Sequence, residues 1–330
     1  MSIVHSNISI FVPHLGCTHN CSFCNQHHIA GTSALPDETS IDRAVKAAKG
    51  SKKYLPRTTE IAFFGGSFTA IEREYMISLL KAAQKHIKNG SVYGIRVSTR
   101  PDAIDDEVLT ILKSYGVTTI ELGAQSMDDA VLQKNMRGHT ANQVKTASEL
   151  IKKHGFSLGL QMMTGLYGSN DELDVYTAEQ IISLSPDCVR IYPTITLRDT
   201  YLAELYEDGK YIPPALQATA LLCVKLNAMF EKADIPVIRL GLHTIDAEAY
   251  IAGPWHPAFK ELCDSYVFRE KISAQLKNLG KYVVFVNGAC LSKAIGQSKE
   301  NILYFKNLGY EISVKKDDSL NINECLVKGC

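Results

Sequence analysis

The chain has 330 residues, with 35 Lys and Arg against 35 Asp and Glu, and is 45% hydrophobic and 21% charged. That length suits one large α/β domain or two ordinary ones of roughly 150 residues each, and the composition excludes a disordered or collagen-like chain. No run approaches the roughly 18 to 20 uncharged apolar residues of a membrane span, no basic stretch precedes the short apolar run at the start, and the balanced charge argues against a broad polyanion-binding surface; the expectation is a cytoplasmic protein with no membrane partner.

In chain order, short β-rich runs alternate with longer segments whose apolar residues recur three or four apart. Strands are predicted at 8–12, 61–64, 95–98, 118–122, 157–162, 188–192 and 237–240, and helices between them at 42–49, 74–87, 106–115, 141–154, 173–183 and 214–233. Six strand–helix repeats imply parallel β/α units. The strands read as apolar on both faces, as expected where helices cover a parallel sheet, and their number suits a partial (β/α)6 TIM-like barrel. Near Ile245 the pattern changes. A Gly-, Pro- and aromatic-rich loop, Gly253-Pro-Trp-His-Pro257, precedes a helix at 259–279, a strand at 282–286, a helix at 292–308 and strands at 310–314 and 320–326. Residues 1–245 are therefore expected to form the barrel, and 246–330 a small C-terminal α+β domain whose final hairpin either extends the barrel sheet or forms a lid.

Nine cysteines are too few and too uneven for a disulfide scaffold. Three of them, Cys17, Cys21 and Cys24, crowd into eight residues directly after the first strand, at the barrel end where such folds place their chemistry. Three thiolates can converge on one metal centre and leave one position open. For zinc that is a catalytic arrangement, or a structural one if His14, His19, His27 or His28 completes it; for a four-iron cluster it leaves one iron free for an outside ligand. The second strand runs into Gly65-Gly66-Ser67, where glycine lets a backbone approach a ligand closely. His243, after the last barrel strand, and the pair Trp255 and His256 are candidate substrate contacts, although Trp255 equally suits a packing anchor. Residues 42–57 hold six cations, Arg43, Lys46, Lys49, Lys52, Lys53 and Arg57, against Asp42 alone. Near a catalytic face such a run can track phosphates; on an amphipathic helix it is a solvated surface.

The spacing Cys-x3-Cys-x2-Cys, with Phe23 before the last cysteine, resembles the motif of the radical S-adenosylmethionine (SAM) superfamily. The resemblance implies a 4Fe-4S cluster held by Cys17, Cys21 and Cys24, with SAM on the open iron and Phe23 beside the adenine. It also implies a 5′-deoxyadenosyl radical that abstracts a substrate hydrogen, and Gly65, Gly66 and Ser67 around the SAM ammonium group. Val97-Ser-Thr-Arg-Pro-Asp102, Glu121-Leu-Gly-Ala-Gln-Ser126, Met136-Arg-Gly-His-Thr140 and Gln161-Met-Met-Thr-Gly-Leu166 resemble the branch holding the radical SAM domain of the Elongator catalytic subunit, a tRNA wobble-uridine modifier, and, more distantly, oxygen-independent coproporphyrinogen oxidase. That comparison places Gln125 and Arg137 in the SAM site, Arg137 as a fork for the methionine carboxylate, with Gln161 near the ribose and Ser98 as a further member. It implies an electron donor such as flavodoxin or ferredoxin, tRNA as a partner, and an RNA base as substrate ahead of a tetrapyrrole or small metabolite. Two features depart from the Elongator subunit: the first two cysteines lack its longer insert, and Arg239-Leu-Gly-Leu-His243 stands where it is rich in arginine. The competing classes are a zinc-dependent barrel hydrolase using the same cysteines and a noncatalytic RNA-binding or cluster-carrier protein.

Overall fold

Side chains of a strand alternate between its two faces, and the chemistry of that alternation decides the architecture. The computed structural model describes residues 6–12, 21–25, 35–242 and 245–330. Its main sheet contains β1 (Ser6–Val12), β2 (Thr59–Gly65), β3 (Gly94–Thr99), β4 (Val117–Gln125), β5 (Ser157–Thr164), β6 (Cys188–Pro193) and, after the two-residue strand β7 (Thr196–Leu197), β8 (Val237–Leu240). The order is β1-β2-β3-β4-β5-β6-β8, every pairing is parallel, and the sheet curls into a half-barrel. The helices are α1 (Glu38–Lys49), α2 (Arg73–Lys88), α3 (Asp106–Ser114), α4 (Asp129–Lys134), α5 (Ala141–Lys153), α6 (Asp171–Ser183), α7 (Tyr201–Glu207) and α8 (Leu216–Lys232). Outward strand residues such as Ile61, Phe63, Ile95, Val97, Ile120, Leu122, Leu160 and Ile191 form one core with Ile41, Leu80, Leu109, Ile151, Ile181 and Phe230 of the helices. Burying each such side chain contributes about 1.5 to 3 kcal/mol. Asp37, Asp105, Thr140 and Asn170 cap α1, α3, α5 and α6 through their side chains, satisfying first-turn amides that no helical carbonyl reaches. Among the described residues no helix is long and apolar enough to cross a membrane.

The inner face corrects the expectation of strands apolar on both sides. Glu60, Arg96, Glu121 and Arg190 point into the half-barrel and bind one another. Arg96 Nε donates to Glu60 at 2.8 Å and its NH1 to Glu121 at 2.6 Å, while Arg190 donates to both oxygens of Glu121 at 2.6 and 2.9 Å. The bridge from β4 to β6 crosses β5 at Gly159, where a Cβ would stand 2.7 Å from Glu121 Cγ. Burial alone would favour a neutral guanidinium, but the carboxylates outweigh it and hold Arg96 and Arg190 more firmly protonated than ordinary arginines. A closed barrel fills this space with layers of branched aliphatics; here it is occupied by paired charge.

After β8, β9 (Tyr250–Ala252) pairs antiparallel with β7 in a small ribbon. Helix α9 (Phe259–Ser273) then joins two cores: Phe259, Leu262, Cys263 and Tyr266 belong to the barrel core, and Phe268 and Ile272 to a second one with Val284, Val286, Phe305 and Ile312. The second core lies on a separate sheet of β10 (Lys281–Val286), β11 (Glu311–Lys316) and β12 (Cys325–Gly329), forming a small C-terminal domain. Three expectations change here. The predicted helix at 259–279 stops at Ser273. The one at 292–308 is broken into α10 (Leu291–Ile295) and α11 (Glu300–Asn307), because Gly296, Ser298 and Lys299 between them take positive φ. The last two strands form no hairpin: β11 pairs parallel and β12 antiparallel with β10, which lies between them.

The basic run also lies elsewhere than at the catalytic end. His86, in the last turn of α2, binds Asp42 at 2.8 Å, Tyr54 donates to the carbonyl of Ser91 before β3, and Arg57 lies in the short turn that leads into β2. Its lysines are exposed at the N-terminal end of strands about 20 Å long, whereas the cysteines follow the opposite end of β1.

Glu121→Gln leaves two buried guanidiniums short of charge and should cost about 3 to 5 kcal/mol in urea unfolding of the metal-free protein. Glu311→Gln, which removes the exposed 2.9 Å pair with Lys281, should leave the midpoint unchanged. Equal effects of the two would contradict the assigned role of the inner network.

Candidate functional site

The residues Cys21 to Asn25 fold as a turn in which Cys24 N donates to Cys21 O at 3.0 Å, leaving both thiols half-exposed. The turn is fastened on two sides. Ser22 is bound to Asn135 at the end of α4, and its carbonyl accepts from Leu202 N of α7 at 2.7 Å. Phe23 is partly buried, packed against the clusters of Val131, Met163 and Leu166 and of Leu202, Leu205 and Tyr211. Cys17 lies outside the described residues, as do the four histidines considered for a zinc site.

Arg137 is brought to the same turn. Its NH1 stands 2.9 Å from Cys21 Sγ and its NH2 donates to Gly123 O at 2.8 Å, while its buried Nε has no hydrogen-bond partner among the described residues. Gln125, at the end of β4, has φ 66°, a left-handed backbone at a register shift between β4 and β5. Its Oε1 accepts from Gln161 Nε2 at 3.2 Å. Two other residues of the Met136–Thr140 segment have structural duties: Thr140 caps α5, and buried His139 places Nε2 3.2 Å from Ala124 O. Burial, aided by the nearby charge of Arg137, pulls the His139 pKa down to about 4, so the folded protein holds this ring neutral.

At the end of β2, Gly65 has φ 113°, and a Cβ there would lie 2.6 Å from Val12 O and 2.9 Å from the Phe11 ring; Gly66 N donates to Val12 O at 2.9 Å. Ser67 is buried, with its hydroxyl bound to Thr99 Oγ1 at 2.8 Å and accepting from Arg100 N at 3.1 Å. Ser98 faces the interior beside Glu121 in the β3–β4 register. The cysteine turn, Arg137, Gln125 and Gln161 thus gather at the C-terminal mouth of the half-barrel. His243 lies outside the described residues. Trp255 packs with Tyr250, Ile195 and Leu197 of the β7–β9 ribbon, its ring 5.9 Å from that of Tyr250, and His256 Nδ1 accepts from Ala258 N at 3.1 Å; among the described residues these contacts run to the ribbon and the start of α9, not to the thiols. The sequence reading missed Ser22, Asn135 and Leu202, which fasten the turn, and Arg239, which faces the interior next to Arg190 and donates to the carbonyls of Gly241 and Leu242 at 3.0 Å each. A lone charge in an aliphatic strand was the available signal for Arg239; nothing local marks Asn135.

The family model described as Radical SAM superfamily matches residues 11–179, and that of the Radical_SAM C-terminal domain matches 186–269. A tRNA uridine(34) acetyltransferase of Dehalococcoides mccartyi is 23% identical over 239 residues, covering 62% of this chain and 52% of that protein. Elongator complex protein 3 of Danio rerio is 32% identical over 193 residues, 52% of this chain and 35% of the relative. The chain thus spans about half or less of the curated relatives it matches. Among solved structures, the archaeal Methanocaldococcus infernus Elp3 with an N-terminal deletion superposes with a TM-score of 0.66 at 20% identity, over 82% of this chain and 64% of that one, a likeness of fold.

Two outcomes follow from this geometry. Gly65→Ala should destabilise the protein by about 1 to 3 kcal/mol in urea unfolding, since it forces a side chain into a left-handed position against a carbonyl; an unchanged midpoint would show that the turn can relax. The stability contributed by neutral His139 is intact above its ordinary pKa of 6.5 and is lost as the pH falls from there toward 4. His139→Gln should therefore show a shallower loss of stability than the parent across that window, and parallel curves would refute the assignment.

Proposed function

The chain belongs to the radical SAM superfamily, and from that premise we propose that Cys21 and Cys24, with Cys17, hold its cluster and that its substrate is a base of an RNA. It is an enzyme of a family that uses a 4Fe-4S cluster and SAM and works by radical chemistry. The observation that carries the site assignment is the meeting of two half-exposed thiols with the Arg137 guanidinium at the mouth of a parallel half-barrel. The donor set fits the group: soft thiolates suit iron–sulfur centres, and Arg137 Nε, without a partner among the described residues, leaves a buried donor for a carboxylate. When bound, the cluster and SAM supply a carbon-centred radical that takes a hydrogen atom from the substrate.

The rest falls to this chain's own residues. Gly65 and Gly66 offer close backbone for the SAM ammonium group, Arg137 orients its carboxylate, and Gln125 and Gln161 form a linked pair of amides for the ribose. Phe23 shields the adenine side from water, and Ser67 and Ser98 support the wall between β2 and β3. An electron carrier of the flavodoxin or ferredoxin type delivers the electron. In this reading residues 1–245 hold the cofactors and supply His243 as a candidate substrate contact, and 246–330 meet the substrate through Trp255 and His256. Support for an RNA base comes from the tRNA-modifying relatives and from α7, where Tyr201 and Tyr206 are exposed beside the cysteine turn; exposed aromatic rings are surfaces on which single-stranded bases stack.

Anaerobically purified protein should be brown, with equal iron and sulfide, and should bleach on reduction. Cys21→Ala and Cys24→Ala should lose the colour, while Cys263→Ala and Cys290→Ala keep it. Colourless protein with stoichiometric zinc would return the site to a zinc hydrolase. For the substrate, tRNA nucleosides from cells with and without the gene should differ in one modified base; unchanged nucleosides with an altered metabolite would transfer the assignment to a small molecule.

A further inference from the structure

We propose that Asn135 is the positioning residue of the cysteine turn, fixing through Ser22 the separation of Cys21 and Cys24 before any metal binds. This rests on the reading that the turn holds the cluster.

Ser22 stands between the two thiols and is 0% exposed, so each of its polar atoms needs a partner inside the protein. Its N–H donates to Asn135 O at 3.1 Å, its hydroxyl donates to Asn135 Oδ1 at 2.7 Å, and its carbonyl accepts from Leu202 N at 2.7 Å. Two of the three contacts run to one residue, which is itself 0% exposed and fully engaged: Asn135 Nδ2 donates to Val131 O at 2.8 Å and to Tyr167 O at 2.9 Å. The chemistry selects the amide. Asn offers an acceptor for the serine hydroxyl and two donors for the two carbonyls on one short side chain; Asp supplies no donor when ionised, and Ala supplies neither.

Asn135 is well placed to transmit rigidity. It ends α4, whose Val131 and Leu132 are buried and whose start is capped by Asp128, and its link to Tyr167 ties the loop after β5 to the same point. Two residues on, Arg137 meets Cys21 Sγ. One segment thus sets both the backbone between the thiols and the charge beside one of them. A turn ordered by protein contacts spends its conformational entropy on folding and not on metal capture, the usual advantage of a preorganised site.

The test compares parent, Ser22→Ala, Asn135→Ala and the double variant after anaerobic reconstitution. It measures iron and sulfide per chain, the rate of cluster loss to an excess of chelator, and the thermal unfolding midpoint of each metal-free protein. Loss should be about 10-fold faster from Asn135→Ala, the effect of removing an outer-shell partner, and less accelerated from Ser22→Ala. The double variant should be no faster than Asn135→Ala, because the two residues act through each other. A lowered midpoint with an unchanged loss rate, or effects that multiply in the double variant, would overturn the proposal. If Asn135→Ala does not fold, Ser22→Ala, which removes a single hydroxyl, decides alone: a parental loss rate refutes the positioning role. A parent that takes up no iron refutes the reading beneath it, whereas a parent that loads normally while every variant retains its cluster equally well refutes the positioning alone.

Discussion

The structure depends on the paired charges inside the half-barrel. Glu60 and Glu121 cannot be buried without cations, and Arg96 and Arg190 supply them across β2, β3, β4 and β6. Such pairs seldom stabilise a protein more than well-packed aliphatics of the same volume would. What they secure is a polar interior beneath the strand ends that carry Gly65, Ser98 and Gln125.

Above this layer, the mouth is assembled from loops that do not hold themselves. Among the described residues, Cys24 N donates to Cys21 O within the cysteine turn, and the turn is fastened to α4 and α7. Gln125 is held in a left-handed conformation at a break in strand register, where its amide can meet Gln161. Arg137 reaches the turn because α4 ends at Lys134, three residues before it. The rigid outer shell, with its single aliphatic core under the helices, makes these demands affordable: strain and exposed polar groups at the mouth are small beside the burial of that shell.

What was legible in the sequence was local. The strands and the barrel helices follow from the alternation of apolar residues, and the cysteine spacing with its neighbouring motifs identified the family. The polar interior is visible in the sequence only as single charges in aliphatic strands, because Arg96 and Glu121 lie 25 residues apart and Arg190 and Glu121 lie 69 apart. Ser22 and Asn135 are separated by 113 residues, and neither type is unusual where it stands. The final strands were misassigned for the same reason: turn residues at 317–319 suggest a hairpin, but the pairing of both β11 and β12 with β10 is fixed by packing on α9 through α11. The basic run is legible as a charge pattern with two readings, a phosphate track or a solvated helix face, and only the direction of α1 shows which end of the barrel it occupies.

The central claim is that this mouth supports reductive cleavage of SAM. Reduced protein with a full complement of iron and sulfide, incubated anaerobically with SAM and analysed by chromatography, should release 5′-deoxyadenosine and methionine in equal amounts, slowly even without substrate. Intact SAM after incubation with a fully loaded, fully reduced cluster would contradict the account.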